Sequence, residues 1–124
     1  MTVTPPAGGP IPPAAGHASI ALADFKKIDL RVAKILDASE IPGADRIWKL
    51  LIDVGSEKKE IVAGIKAFYS KEALIGKCVV IVNNLEPAVI RGVESRGMLL
   101  AAKDGGALTI LSPEKELPPG SPVG

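Results

Sequence analysis

The chain reads as all-β: a five-stranded Greek-key barrel with a short helix between strands three and four and extra segments at both ends. Three observations predict this. Large apolar residues alternate at Trp48, Leu50, Ile52 and Val54, the mark of a strand with one buried face. Turn chemistry recurs at Ile41-Pro42-Gly43-Ala44-Asp45, at Gly55-Ser56-Glu57-Lys58-Lys59 and at Asp104-Gly105-Gly106. Finally, Leu30 and Val32 alternate while Ile35 falls one position out of phase. A β-bulge near Ala33 or Lys34 would restore the phase and bend the first strand as a small barrel requires.

Composition bounds the rest. At 124 residues and 47% hydrophobic content the chain can bury one core. Fifteen basic against 14 acidic side chains leave a net charge of +1, so any anion-binding surface must come from local segregation of charge. The single cysteine, Cys78, cannot form an internal disulfide; its alternation with Val80 and Val82 predicts a buried core thiol in a reducing, cytoplasmic setting. The N-terminus lacks the charged and apolar regions of a signal peptide, and no apolar run approaches bilayer length, so no membrane is expected. Residues 1–19 are rich in proline and glycine and predict a disordered tail or linker, with the ordered domain over residues 20–124. His17, the only histidine, falls in that tail without an orienting partner, so no catalytic or metal role is assigned to it.

The elements follow in order. Asp24 is placed to cap a short turn through Phe25 and Ile28, which would share a face. Asp29 to Ala38 reads as the first strand, the Trp48 run as the second and Glu60 to Ile65 as the third. The phase of Trp48 with Leu50 and Ile52 assigns its ring to the core. Ser70 as N-cap, Glu72 in the first turn, Leu74 and Ile75 as the apolar side and Gly76 at the stop predict the helix. Lys77 to Asn83, Met98 to Ala102 and Leu108 to Leu111 complete the strands. Three strands, a helix and then strands four and five is the order of the OB-fold, with additions at both ends that include the further strand Leu108 to Leu111.

Function is expected in the connection from Asn83 to Met98. Asn84, Arg91, Ser95 and Arg96 lie there, outside the apolar runs, where their donors can meet solvent while the strands hold them. Lys34, Lys49 and Lys66 lie near the strands that would bound a groove. Nothing in the chain suits catalysis: there is no phosphate-loop glycine pattern, no second cysteine for a metal cluster, and no histidine in an ordered segment. No metal or cofactor is expected.

Several blocks of the sequence carry a family resemblance. Asp24-Phe25-x-x-Ile28-Asp29-Leu30-Arg31-Val32, Ala44-Asp45-Arg46, Ile52-Asp53-x-Gly55, Ile61-Val62-x-Gly64-Ile65, Leu74-x-Gly76-Lys77, Asn84-Leu85-x-Pro87 and Arg91-Gly92-Val93-Glu94-Ser95-x-Gly97-Met98 resemble the tRNA-binding domain. That domain is appended to methionyl-tRNA synthetases, occurs as a separate beta subunit, and exists as a free-standing dimeric protein. The resemblance implies an OB barrel that binds tRNA by shape, with Asn84, Arg91, Ser95 and Met98 on positions associated with tRNA binding. It also implies partnership with a methionyl-tRNA synthetase catalytic chain and a homodimer, for which Phe25, Ile28, Leu111 and Val123 are interface candidates. A dimeric, chaperone-like peptide-binding branch shares the fold and is the alternative. Departures from the family pattern are Ala33 for a common Gly, Ile41 for His, Ala63 for Ser and Glu86 for Lys.

Overall fold

The computed structural model describes residues 18–124, so the expected tail, including His17, falls almost wholly outside the described residues. The described chain begins with a single helical turn, α1 (Leu22–Phe25). Its N-cap is Ala21, without a side-chain cap, and Asp24 lies inside the first turn rather than capping it. Three strands follow as an antiparallel meander: β1 (Leu30–Ile41), β2 (Ala44–Asp53) and β3 (Lys58–Ala63). Helix α2 (Lys71–Leu74) starts where the Ser70 hydroxyl accepts the Ala73 N–H at 3.2 Å, and it stops before Gly76, whose φ is +88°. Leu74 is fully buried, whereas Ile75 faces solvent and does not extend the apolar side. Strand β4 (Cys78–Val82) then pairs with β1.

The connection after β4 is more ordered than the sequence suggests. It contains a hairpin of β5 (Ala88–Ile90) and β6 (Val93–Ser95) before β7 (Met98–Leu99) returns to β4. A second hairpin, β8 (Ala101–Asp104) with β9 (Ala107–Ile110), and a terminal β10 (Pro122–Val123) complete the chain. The main sheet runs β3-β2-β1-β4-β7, with β10 also on β1.

Strand β1 holds this arrangement together because its two halves serve different neighbours. Residues Leu30 to Lys34 pair with β4, and Lys34 to Ile41 pair with β2. A bulge separates Ile35 from Asp37 in the β2 ladder, leaving Leu36 as the extra residue. The bulge exists, but it lies beyond the expected Ala33 or Lys34. It keeps Ala33, Ile35 and Ala38 in one core with Trp48, Leu50, Ile52 and Ile61. The inward phase of early β1 is therefore Ala33 and Ile35, not Leu30 and Val32. The same inversion applies to β4, where Val79 and Ile81 are fully buried and Cys78 is only half-buried on the opposite face. Cys78 is thus not a core thiol.

Val32 is nevertheless buried, because the C-terminal segment crosses it. The Gly120 N–H donates to the Val32 carbonyl at 2.7 Å, the Val32 N–H donates to the Ser121 carbonyl at 2.9 Å, and the Arg31 guanidinium donates to the Gly120 carbonyl at 3.0 Å. Gly120 and Gly55 meet backbone to backbone there. A Cβ on Gly120 would lie 2.6 Å from the Val54 carbonyl oxygen, and the residue's φ is +91°. Both facts exclude a side chain. Gly120→Ala is expected to destabilise the fold by about 1–3 kcal/mol, read as a lowered urea midpoint at unchanged slope.

Candidate nucleic-acid interface

The far edge of β3 has no regular ladder partner, and the connection after β4 closes it with individual groups. The Ser95 hydroxyl accepts the Val62 N–H at 2.9 Å and donates to the Gly97 carbonyl at 3.2 Å. The Arg96 N–H donates to the Glu60 carbonyl at 3.0 Å, and the Lys59 ammonium donates to the Asn83 carbonyl at 2.9 Å. Gly97 fits this seam because a Cβ there would meet the Val82 carbonyl oxygen at 3.1 Å and Ile61 at 3.3 Å. Lys59 is a functional-loop support that the sequence reading missed. It shares the phase of Ile61 and Ala63, which was the available signal, and burial pushes its pKa down.

A second anchor holds the start of the connection. The Asn84 amide donates to the Lys27 carbonyl at 2.8 Å and accepts the Asp29 N–H at 2.9 Å. Asn83 donates its own amide to the Asp29 carboxylate at 3.0 Å, and Arg31 binds the other carboxylate oxygen at 2.6 Å. The Asn83 bond, with Arg31 beside it, holds the Asp29 carboxyl below its ordinary pKa against the opposing effect of burial. Two of the expected ligands are therefore braces. Asn84 staples the loop to the N-terminal turn, and Ser95, 4% exposed, has its hydroxyl committed to the seam. Neither side chain is freely presented as the sequence reading supposed, because the bare β3 edge and the open N-terminal turn each need a polar partner.

The cations divide into neutralised and free groups. Lys49 pairs with Glu60 at 3.7 Å, and Arg96 pairs with Glu57 at 3.5 Å. Lys66 pairs with Glu40 at 3.3 Å and lies 5.0 Å from the Trp48 ring centroid. The indole itself is core, its N–H donating to the Tyr69 carbonyl at 2.9 Å. Lys34 stands apart, in a cleft with Asp53, Cys78 and Glu116 beneath the C-terminal segment. Met98 is 45% exposed and lines a groove with Val62, Leu99 and Leu108. Among the described residues, Arg46 and Arg91 make no ion pair.

Arg91 is also held in an unusual conformation. Ile90 pairs with Val93, so Arg91 and Gly92 form a two-residue hairpin turn, with φ of +53° and +82°. These are type I′ angles, which Asn or Gly adopts readily. An arginine in the left-handed region costs about 1–2 kcal/mol, and the exposed side chain makes no ion pair that would offset this. Such strain at a loop tip points to a role outside the fold. Of the interface candidates, Ile28, Leu111 and Val123 are exposed and Phe25 is half-buried, while the Val123 backbone pairs with Leu30 of its own chain.

Comparison with known proteins follows this geometry. Residues 30–122 match the family model described as a tRNA binding domain. The chain is 49% identical over 105 residues to methionine-tRNA ligase of Thermotoga maritima, covering 85% of this chain and 17% of that protein. It is 53% identical over 104 residues to the methionine-tRNA ligase of Methanococcus aeolicus, covering 84% of this chain and 15% of the relative. The chain thus spans about one-sixth of the curated relatives it matches. Among solved structures, a MetRS related protein from Pyrococcus horikoshii superposes with TM-score 0.81 at 32% identity, over 86% of this chain and 99% of that one. The chaperone CsaA from Bacillus anthracis gives TM-score 0.78 at 32% identity, over 86% and 100% respectively.

The Asp29 anchor has a pH signature. A carboxyl whose pKa is lower in the folded state adds stability above its unfolded pKa, about 3.9, and that stability is lost as pH falls through the folded value. Urea midpoints measured from about pH 6 to about pH 2 should fall more steeply for the native chain than for Asp29→Asn.

Proposed function

The chain belongs to the tRNA-binding domain family, and from that premise we propose a non-catalytic module that binds tRNA largely by shape. It assists a methionyl-tRNA synthetase in the cytoplasm, as an appended domain or as a beta subunit. The observation that carries this reading is Arg91, an unpaired guanidinium held at the tip of a braced hairpin in a conformation that costs the fold energy. Shape recognition of folded RNA rests on phosphates and 2′-hydroxyls, which guanidinium and ammonium groups meet without reading sequence. Arg91, Arg96, Lys49 and Lys66 supply these contacts, with Lys34 and Met98 at the margins. Asn84 and Ser95 act through the loop they hold. Residues 1–19 serve as a spacer, and tethering raises the local tRNA concentration beside a catalytic chain without chemistry of its own.

The likeness to CsaA chaperones keeps a second reading, a peptide-binding protein that uses an exposed apolar groove. One experiment addresses both. Fluorescence titrations with two unrelated tRNAs should give similar affinities that fall linearly in log–log form as salt rises, and an apolar client peptide should not compete. Salt-independent binding, no binding at low salt, or displacement of tRNA by the peptide overturns the tRNA reading.

Association into a homodimer through Phe25, Ile28, Leu111 and Val123 is part of the same proposal. Sedimentation of residues 18–124 at micromolar concentration should show a dimer that Ile28→Asp with Leu111→Asp converts to monomer. A monomeric native chain overturns that part alone.

A further inference from the structure

A small cleft separates the β1–β2 turn from the tip of the β5–β6 hairpin. Gly43, Ala44, Asp45, Arg46, Ile47 and Arg91 line it. Arg46 reaches it from one wall and Arg91 from the other. The two walls are positioned independently. The Arg46 carbonyl accepts the Lys66 N–H at 3.2 Å, fixing the start of β2 to the segment after β3, while Arg91 is fixed by its turn. Arg46 and Arg91 bring like charges to one cleft, and neither makes an ion pair among the described residues. The one acid lining the cleft, Asp45, is exposed and forms no ion pair with either. Gly43, with φ of +79° and open space where a Cβ would stand, lets a ligand approach the backbone closely.

We propose that this cleft seats a single backbone phosphate of the bound RNA, clamped between the Arg46 and Arg91 guanidiniums. The proposal rests on the tRNA-binding reading and deepens it by giving the barrel one fixed point of register on the sugar-phosphate chain. Guanidiniums suit the task because their planar forks donate paired hydrogen bonds to phosphate oxygens. Arg96, Lys49 and Lys66 must first exchange a carboxylate for RNA, whereas this pair has none to release.

A clamp on one phosphate has a signature that two independent surface charges lack. Each phosphate neutralised contributes about 0.7 to 0.9 to the slope of log affinity against log salt. Arg46→Gln and Arg91→Asn, the latter a residue that accepts the I′ turn, should each weaken tRNA binding while leaving the slope nearly unchanged. The remaining arginine still neutralises the phosphate. The double variant should lose about 0.7 to 0.9 of slope, equally for two unrelated tRNAs, with urea midpoints no lower than native at position 91. Slope losses of that size in each single variant, summing in the double, would show two separate phosphates and overturn the clamp. Unchanged affinity in the double variant would overturn it as well. In both cases the native chain still binds tRNA, so the module's function would stand; a native chain that fails to bind overturns both.

Discussion

The hydrogen bond from the Val62 N–H to the Ser95 hydroxyl carries more of this structure than its energy suggests. A meander of three strands leaves β3 with a bare outer edge, and an unsatisfied buried N–H costs about 1–3 kcal/mol. With β3's own Lys59 ammonium reaching across to the Asn83 carbonyl, the chain meets that edge with a side chain from Ser95 and a main-chain donor from Arg96 rather than with a strand. The segment that supplies them is consequently pinned at its middle and its base. Its hairpin tip is then free to project, and Arg91 inherits a defined position from groups bonded elsewhere in the fold.

Charge is distributed in a way that a net value of +1 conceals. Lys49, Lys66 and Arg96 each face an acidic neighbour, and exposed pairs of this kind are worth about 0–1 kcal/mol. A polyanion can displace such carboxylates at small cost. These pairs leave little uncompensated positive charge at those three positions. The cleft beside Arg46 differs, since neither of its two arginines makes an ion pair among the described residues.

Most of the architecture was legible in the residues, and the misreadings have a common cause. Alternation located β2 without ambiguity because polar residues occupy its other face. In Cys78 to Val82 both faces are apolar, and in Leu30 to Ile35 each face carries two apolar residues and one cation, so periodicity could not say which was inward. The free edge of early β1 is taken up by a segment 89 residues later in the chain, from Arg31 to Gly120, which no local pattern announces. The sequence put Arg91 and Arg96 in a connection between strands, and the structure places them there, at the hairpin turn and just after β6. The expected solvent-facing donors of Ser95 and Asn84 make internal hydrogen bonds instead, because a hydroxyl or amide in a loop looks equally suited to solvent and to bracing. Arg46 was passed over because nothing in the sequence brings its turn to the distant hairpin.

The pairing of Leu30 with Val123 brings the start of β1 and the C-terminal segment side by side. A body joined directly ahead of β1 or behind β10 would therefore depart from the same corner of the fold. Moving the junction from one end to the other would change the length of the leash and leave the pose of the gripping surface as it was.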